Sequence, residues 1–182
     1  MSAELMYWLA PLGVVIGLLF AGLFYRGMLR SDPGTEHMQR IAGHVQRGAM
    51  AYLAQQYRIM LVVFLGLALL FAVLAFGLDV QSRQLPVLFL AGGLFSALAG
   101  FVGMQTATRA SVRTAAAARG SLAGALRVAF RSGAVMGLVV VSLGLGNVVG
   151  WFALIEALMP GAPAPGEGAD GTRLVLVTTA LL

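Results

Sequence analysis

Cysteine is absent from this 182-residue chain, which excludes disulfides and thiolate metal sites and leaves the redox compartment open. Lysine is absent too, so all 12 cations are arginine. Charge of either sign is scarce. Charged residues make up 10% of the chain, where a soluble domain carries about 25%. That scarcity excludes a soluble domain, a disordered tail and a water-facing nucleic-acid module, even though the net charge is +5. What fills the chain instead is apolar: 59% is hydrophobic before its 24 glycines are counted. The chain reads as an integral membrane protein of the all-α transmembrane class.

Four runs without a formal charge are long enough to cross a bilayer, which takes about 20 residues. They are Leu5–Tyr25, Ile59–Leu78, Gln84–Thr108 and Ser132–Ile155. A fifth opens at Leu174 and reaches Leu182, a rise of only about 14 Å, so the C-terminus is expected to be a truncation point. The leader of the first run carries Glu4 instead of cations, and Arg26 and Arg30 follow it. It therefore suits a retained span better than a cleaved secretory signal. Arginine placement gives the orientation. Arg26, Arg30, Arg40, Arg47 and Arg58 lie between spans one and two; Arg109, Arg113, Arg119, Arg127 and Arg131 lie between three and four. Only Arg83 and Arg173 lie opposite, so the positive-inside bias puts the N-terminus outside and the arginine-rich connections in the cytoplasm.

Those connections carry helical periodicity. After the turn Asp32-Pro33-Gly34, with Thr35 as a cap, Met38, Ile41, Val45, Ala49 and Tyr52 recur at three- and four-residue steps. One helix over Glu36–Leu78 rises about 64 Å, twice the hydrocarbon thickness, and about half of it is expected to project into the cytoplasm. Helix three is expected to continue through Ala115–Ala118, with Gly120 as a C′ residue and Ser121 capping helix four. Pro160–Gly171 reads as an outer loop. Gly92, Ser96 and Gly100, then Ala99, Gly103 and Ala107, then Gly133 and Gly137 are spaced for close helix contact.

Candidate chemistry is thin. His37 and His44 share a helical face, but metal pairs on a helix are usually three or four apart, so a solvated face is the plainer reading. The arginines Arg109, Arg113, Arg119, Arg127 and Arg131 match phosphate chemistry, yet topology alone already demands cations there. Asn147 suits an interhelical hydrogen bond. Asp79 and Glu156 stand at span ends, where water reaches them, and Tyr7, Trp8 and Trp151 suit interfacial anchors. Asp32 and Glu36 are the only cytoplasmic carboxylates, too few for a multi-metal site. We therefore assign no catalytic, cofactor-binding or metal-binding residue within this chain.

The connections also carry a family resemblance. Glu36 to Ala42 (EHMQRIA) and Gln46 to Tyr57 (QRGAMAYLAQQY) resemble the first cytoplasmic stretch of the membrane-bound, ion-pumping inorganic pyrophosphatases. Gly100 to Thr114 (GFVGMQTATRASVRT), Ala117 to Arg119 and Leu126 to Gly137 (LRVAFRSGAVMG) look like that family's third and fourth helices. The resemblance implies a homodimeric parent with many helices. Such a parent hydrolyses pyrophosphate with magnesium and moves protons, or sodium in some members. It also implies that residues 1–182 are the N-terminal part of one polytopic membrane domain in the outer ring of a larger bundle. The catalytic aspartates and lysines are then expected beyond Leu182, and a bacterial inner membrane is the expected setting. Two other classes remain open from the residues: a small self-standing multi-span transporter, and a non-catalytic membrane scaffold subunit. An open reading frame continuing past Leu182 into an aspartate- and lysine-rich motif separates the pump from both.

The orientation is directly testable. Single cysteines at Ser2 and Ser121 are expected to report opposite sides: in intact cells a membrane-impermeant thiol reagent labels Ser2→Cys and spares Ser121→Cys. The reverse pattern contradicts the assignment.

Overall fold

A computed structural model of the chain describes residues 3–77 and 85–158, with side chains from Trp8 to Leu154. The expected fifth span, the outer loop, Asp79 and the side chains of Tyr7 and Glu156 lie outside those residues. Four long helices account for almost all of what is described: α1 (Ala3–Leu29), α2 (Glu36–Ala72), α3 (Leu85–Ala118) and α4 (Leu122–Leu158). The described residues contain no strand. All four helices are long and apolar enough to cross a membrane.

The helix ends follow local chemistry. Thr35 caps α2, its hydroxyl accepting from the Met38 amide at 3.4 Å. Just before it, the Asp32 carboxylate accepts from the Gly34 amide at 2.9 Å, closing an Asx turn. Gly34 has φ +82°, a left-handed conformation that a side chain would strain, and a Cβ there would also stand 3.0 Å from Ala116. The turn after α1 is thus packed directly on the end of α3. As expected, Ser121 caps α4 by accepting from the Gly124 amide at 3.0 Å. The expected left-handed C′ role for Gly120 is not realised, since Gly34 is the only described glycine with positive φ. Instead α3 ends in a tightened turn, with Arg119 bonded to the Ala116 carbonyl and Gly120 to that of Ala117. α2 runs unbroken from Glu36 and finishes in a π-helical turn, Val73–Gly77. Pro86 stands in the first turn of α3, where its missing N–H is of no consequence.

The helices pack in a row, α2 on α3, α3 on α4 and α4 on α1, so that the chain-adjacent α1 and α2 are not packing neighbours. Small residues set the approaches. A Cβ on Gly17 would overlap the Ser142 hydroxyl between α1 and α4, and one on Gly93 would overlap the Phe64 ring between α3 and α2. A Cβ on Gly103 would meet the Met136 methyl at 2.8 Å. Phe64 and Phe71 both pack on Phe89, with ring centroids 4.9 and 5.1 Å apart. By contrast, the face expected from Gly133 and Gly137 is open, with no atom within 4 Å of a Cβ at either. The glycine spacing was visible in the sequence, but which face met a neighbour was not.

Three arginines of the two connections lie at one level of the bundle. The Arg109 guanidinium donates to the Tyr25 hydroxyl, and Arg131 donates to the Gly27 carbonyl at 3.2 Å, which places Arg26, Arg109 and Arg131 on one level. On α1 the rise from Glu4 to Arg26 is about 33 Å, one hydrocarbon thickness. All three later helices run past this level, though α2 does so less than its length suggested. The Tyr57 hydroxyl donates to the Ala97 carbonyl, and Met38 lies beside Arg119, so Arg47 stands opposite Arg109. The part of α2 that runs past the arginine level is therefore Glu36 to about Arg47, roughly 17 Å, and Arg58 lies on the other side of that level, opposite the charge-free run of α3.

Within this chain, Gly17→Leu is expected to weaken the fold by about 1–3 kcal/mol through overpacking against Ser142, whereas Gly133→Leu is expected to be tolerated. Thermal unfolding in detergent compares them; equal losses for the two variants contradict the packing.

Candidate functional site

Among the described residues, a concentration of charged side chains with structural consequence lies where α1 ends between α3 and α4. Met28, Ala110 and Val128 are buried together there, with Tyr25, Leu29 and Ala117 packed on them. Around this apolar knot stand three of the five arginines of the second connection. Arg109 donates to the Tyr25 hydroxyl, as noted. Arg131 reaches the Gly27 carbonyl, in the last turn of α1, where carbonyls lack helical partners and the helix dipole favours a cation. Arg113 donates from Nη1 to the Arg109 carbonyl at 2.8 Å, and its Nε is buried without a partner.

These three make their hydrogen bonds to different acceptors, Arg109 and Arg131 to α1 and Arg113 to its own helix, while Arg113 Nε stays without a partner. Arg119 and Arg127 are exposed, and the Arg119 guanidinium donates to the Met38 sulfur at 4.0 Å. Chemically the cluster acts as a clamp that fixes the end of α1 against the α3–α4 hairpin. Tyr25 and Gly27 went unremarked in the sequence, although a tyrosine at a span end beside an arginine-rich connection is a usable signal.

Next to the clamp, a shallow cavity of about 570 Å³ opens between the α1–α2 turn and the α3–α4 turn, lined by Asp32, Gly34, Thr35, Ala116, Arg119 and Gly120. Its carboxylate already accepts from Gly34, and its lining carries one residue of each sign, Asp32 and Arg119, so neither sign of charge prevails. Glu36 leans instead toward Arg40, 3.8 Å away in an exposed pair that contributes little.

Magnesium, implied by the family resemblance, does not fit the residues present. Among the described residues no three His, Cys, Asp or Glu side chains come together, and Asp32 and Glu36 are engaged as stated. His37 and His44 remain exposed, with His44 Nδ1 3.1 Å from Arg47 Nη2. Asn147 makes its hydrogen bond within α4, accepting from the Trp151 indole at 3.1 Å, and not between helices as expected. The i,i+4 spacing favours that nearer partner. Trp8 is exposed toward the outer end of α1, as an interfacial anchor requires.

Comparison with known proteins fits this arrangement. A family described as inorganic H+ pyrophosphatase matches residues 15–178. A protein of Bacteroides thetaiotaomicron assigned as a K(+)-stimulated pyrophosphate-energized sodium pump is 49% identical over 98% of this chain and 24% of its own length. A K(+)-insensitive pyrophosphate-energized proton pump of Methanosarcina mazei is 42% identical over 78% of this chain and 21% of its own. A second such proton pump, of Moorella thermoacetica, is 44% identical over 78% of this chain and 20% of its own. The chain thus spans between a fifth and a quarter of the length of these relatives.

Replacing Arg109 with Met or Tyr25 with Phe is expected to cost about 1–2 kcal/mol each, with a coupling near 1 kcal/mol in the double variant. A double-mutant cycle on thermal unfolding measures it; strict additivity contradicts the clamp.

Proposed function

This chain belongs to the inorganic H+ pyrophosphatase family, and on that premise we propose that it forms the first four membrane helices of a longer pyrophosphate-energised cation pump. The observation that carries the reading is the match over residues 15–178 combined with coverage of only 24% of a relative's length. In this reading residues 1–182 are the N-terminal part of a single polytopic domain. Their role is to build and orient the outer helices, with the arginine clamp fixing α1 at the cytoplasmic boundary. The hydrolytic residues and the magnesium ligands then lie elsewhere in the longer chain. Hydrolysis needs carboxylates to hold metal and orient water, and the two of the first connection, Asp32 and Glu36, are engaged in a turn and an exposed ion pair.

The translocated ion is a monovalent cation. The matched relatives divide between sodium and proton pumps, and among the described residues no carboxylate stands within a charge-free run to choose between them. A homodimer in a bacterial inner membrane is the assembly and setting proposed for the whole protein, as the family resemblance implies.

The test compares two lengths of chain. Residues 1–182 expressed alone are expected to insert in membranes yet release no phosphate from pyrophosphate and move no ion. The product of the full reading frame, reconstituted in vesicles, is expected to do both with magnesium, and sodium-free against sodium-containing buffer then identifies the cation. Magnesium-dependent phosphate release by the purified short chain, abolished by Asp32→Asn, contradicts the proposal and places a site in the first connection.

A further inference from the structure

α2 carries a polar face that none of the described residues covers. Leu53, Tyr57, Phe64 and Ala68 turn toward α3, and Leu53 and Ala68 are buried there. On the other side of α2, His44, Arg47, Gly48, Ala51, Gln55 and Arg58 fall at three- and four-residue steps, and every one of them is exposed.

The depth of that face makes it unusual. Tyr57 is tied to Ala97, so Arg58 lies level with a position twelve residues before Arg109 on α3, about 18 Å from the arginine level and within the charge-free run of α3. The neighbouring helices carry no charge at this level: Gly17 of α1 packs on the buried Ser142 of α4, and Leu94, Ser96 and Leu98 flank the level on α3. An arginine side chain can snorkel several ångströms toward water, which leaves a large part of that distance uncovered. Arg58 has no hydrogen bond or ion pair among the described residues, and Gln55, one turn nearer the cytoplasm, has none either. Charged side chains at membrane depth generally face protein or a water-filled cavity, and they pair with opposite charge. No described helix of this chain supplies a carboxylate at that level. The exposed small residues Gly48 and Ala51 on the same face allow a second backbone to come close.

We infer that the face of α2 bearing His44, Ala51, Gln55 and Arg58 is covered in the complete protein by a later membrane helix, and that a carboxylate on that helix pairs with Arg58. This rests on the reading of the chain as part of a longer pump, whose relatives hold three-quarters or more of their length outside the matched segment. The occupant is thus an acidic membrane helix of the same polypeptide, and not lipid.

A nitroxide attached at Gln55→Cys tests the inference with Arg58 intact, and the exposed Leu19 of α1, as Leu19→Cys, serves as the reference. Collision rates with oxygen and with a water-soluble nickel chelate are read in the 182-residue chain alone and in the full-length protein, other cysteines having been replaced. In the full-length protein the label at Gln55 is expected to lose access to both agents several-fold relative to the short chain. Oxygen access at Gln55 matching that at Leu19 in the full-length protein means lipid and overturns the inference. High access to the nickel chelate means a water-filled cavity and overturns it equally. The pairing has its own readout. Arg58→Leu is expected to lower folded full-length yield, Arg58→Lys to preserve it, and Asn or Gln in place of one carboxylate on a later helix to rescue Arg58→Leu. Equal yields for the Leu and Lys variants overturn the carboxylate partner. A gene that stops at Leu182 removes the pump reading and this inference together, whereas a longer, active pump with a lipid-exposed Gln55 removes the inference alone.

Discussion

The clamp at the end of α1 decides the arrangement of the other helices. Arg109 and Arg131 come from different helices of one hairpin, and both spend their charge on the last turn of α1. With that end captured between α3 and α4, α1 lies along α4, and α2 cannot be its neighbour. The connecting turn must then cross beneath the hairpin, which is why it needs the left-handed Gly34 and why Ala116 presses against it. A membrane gives this polar tie unusual weight. Apolar faces have lipid as an equally good alternative partner, so specificity falls to close backbone approach and to the few polar contacts available.

Packing elsewhere is sparse in a way that is informative. Only 11% of the apolar window of each of α1, α2 and α3, and 17% of that of α4, is buried within the chain. In water, such exposure of Leu19, Val62, Leu69 and Phe76 would be untenable; in a bilayer it is simply surface for lipid or for further helices. The two apolar clusters, around Val135 and around Met28, both lie on the α1–α4 side. Among the described residues α2 joins the row through α3, where Tyr57, Phe64 and Phe71 make the contacts that set its axial position, with Leu53 and Ala68 buried beside them.

Much of the fold was legible because membrane sequences are simple to segment. Charge-free runs, the Thr35 and Ser121 caps and the unbroken periodicity after Pro33 were enough to give four helices and their cytoplasmic extensions. What was hidden depended on relations between helices. Gly133 and Gly17 look alike as helix glycines, yet one faces open space and the other Ser142. Asn147 looked like interhelical glue because nothing in a linear reading favours the Trp151 indole over a neighbour's carbonyl. The arginines looked interchangeable as topology signals, and only three-dimensional placement separates the clamp pair from the exposed Arg127. Family membership was legible from the two connection motifs, since those segments carry side chains more specific than hydrophobicity alone.

Arg58 shows most clearly why single-helix reasoning stops where it does. Counted along the chain, it belongs to a cytoplasmic connection, one residue before an apolar run begins. Counted across the bundle, it is level with Ala97, because the Tyr57 hydroxyl fixes the register between α2 and α3. The apolar belts of α2 and α3 are therefore out of step, and no single flat slab can match both. A chain that buried its whole function in these four helices would gain nothing from such a mismatch and would bear the cost of a charge at membrane depth. A chain whose α2 meets a further helix on its polar side can use the offset, since the same register that exposes Gln55 and Arg58 here presents them to a partner there.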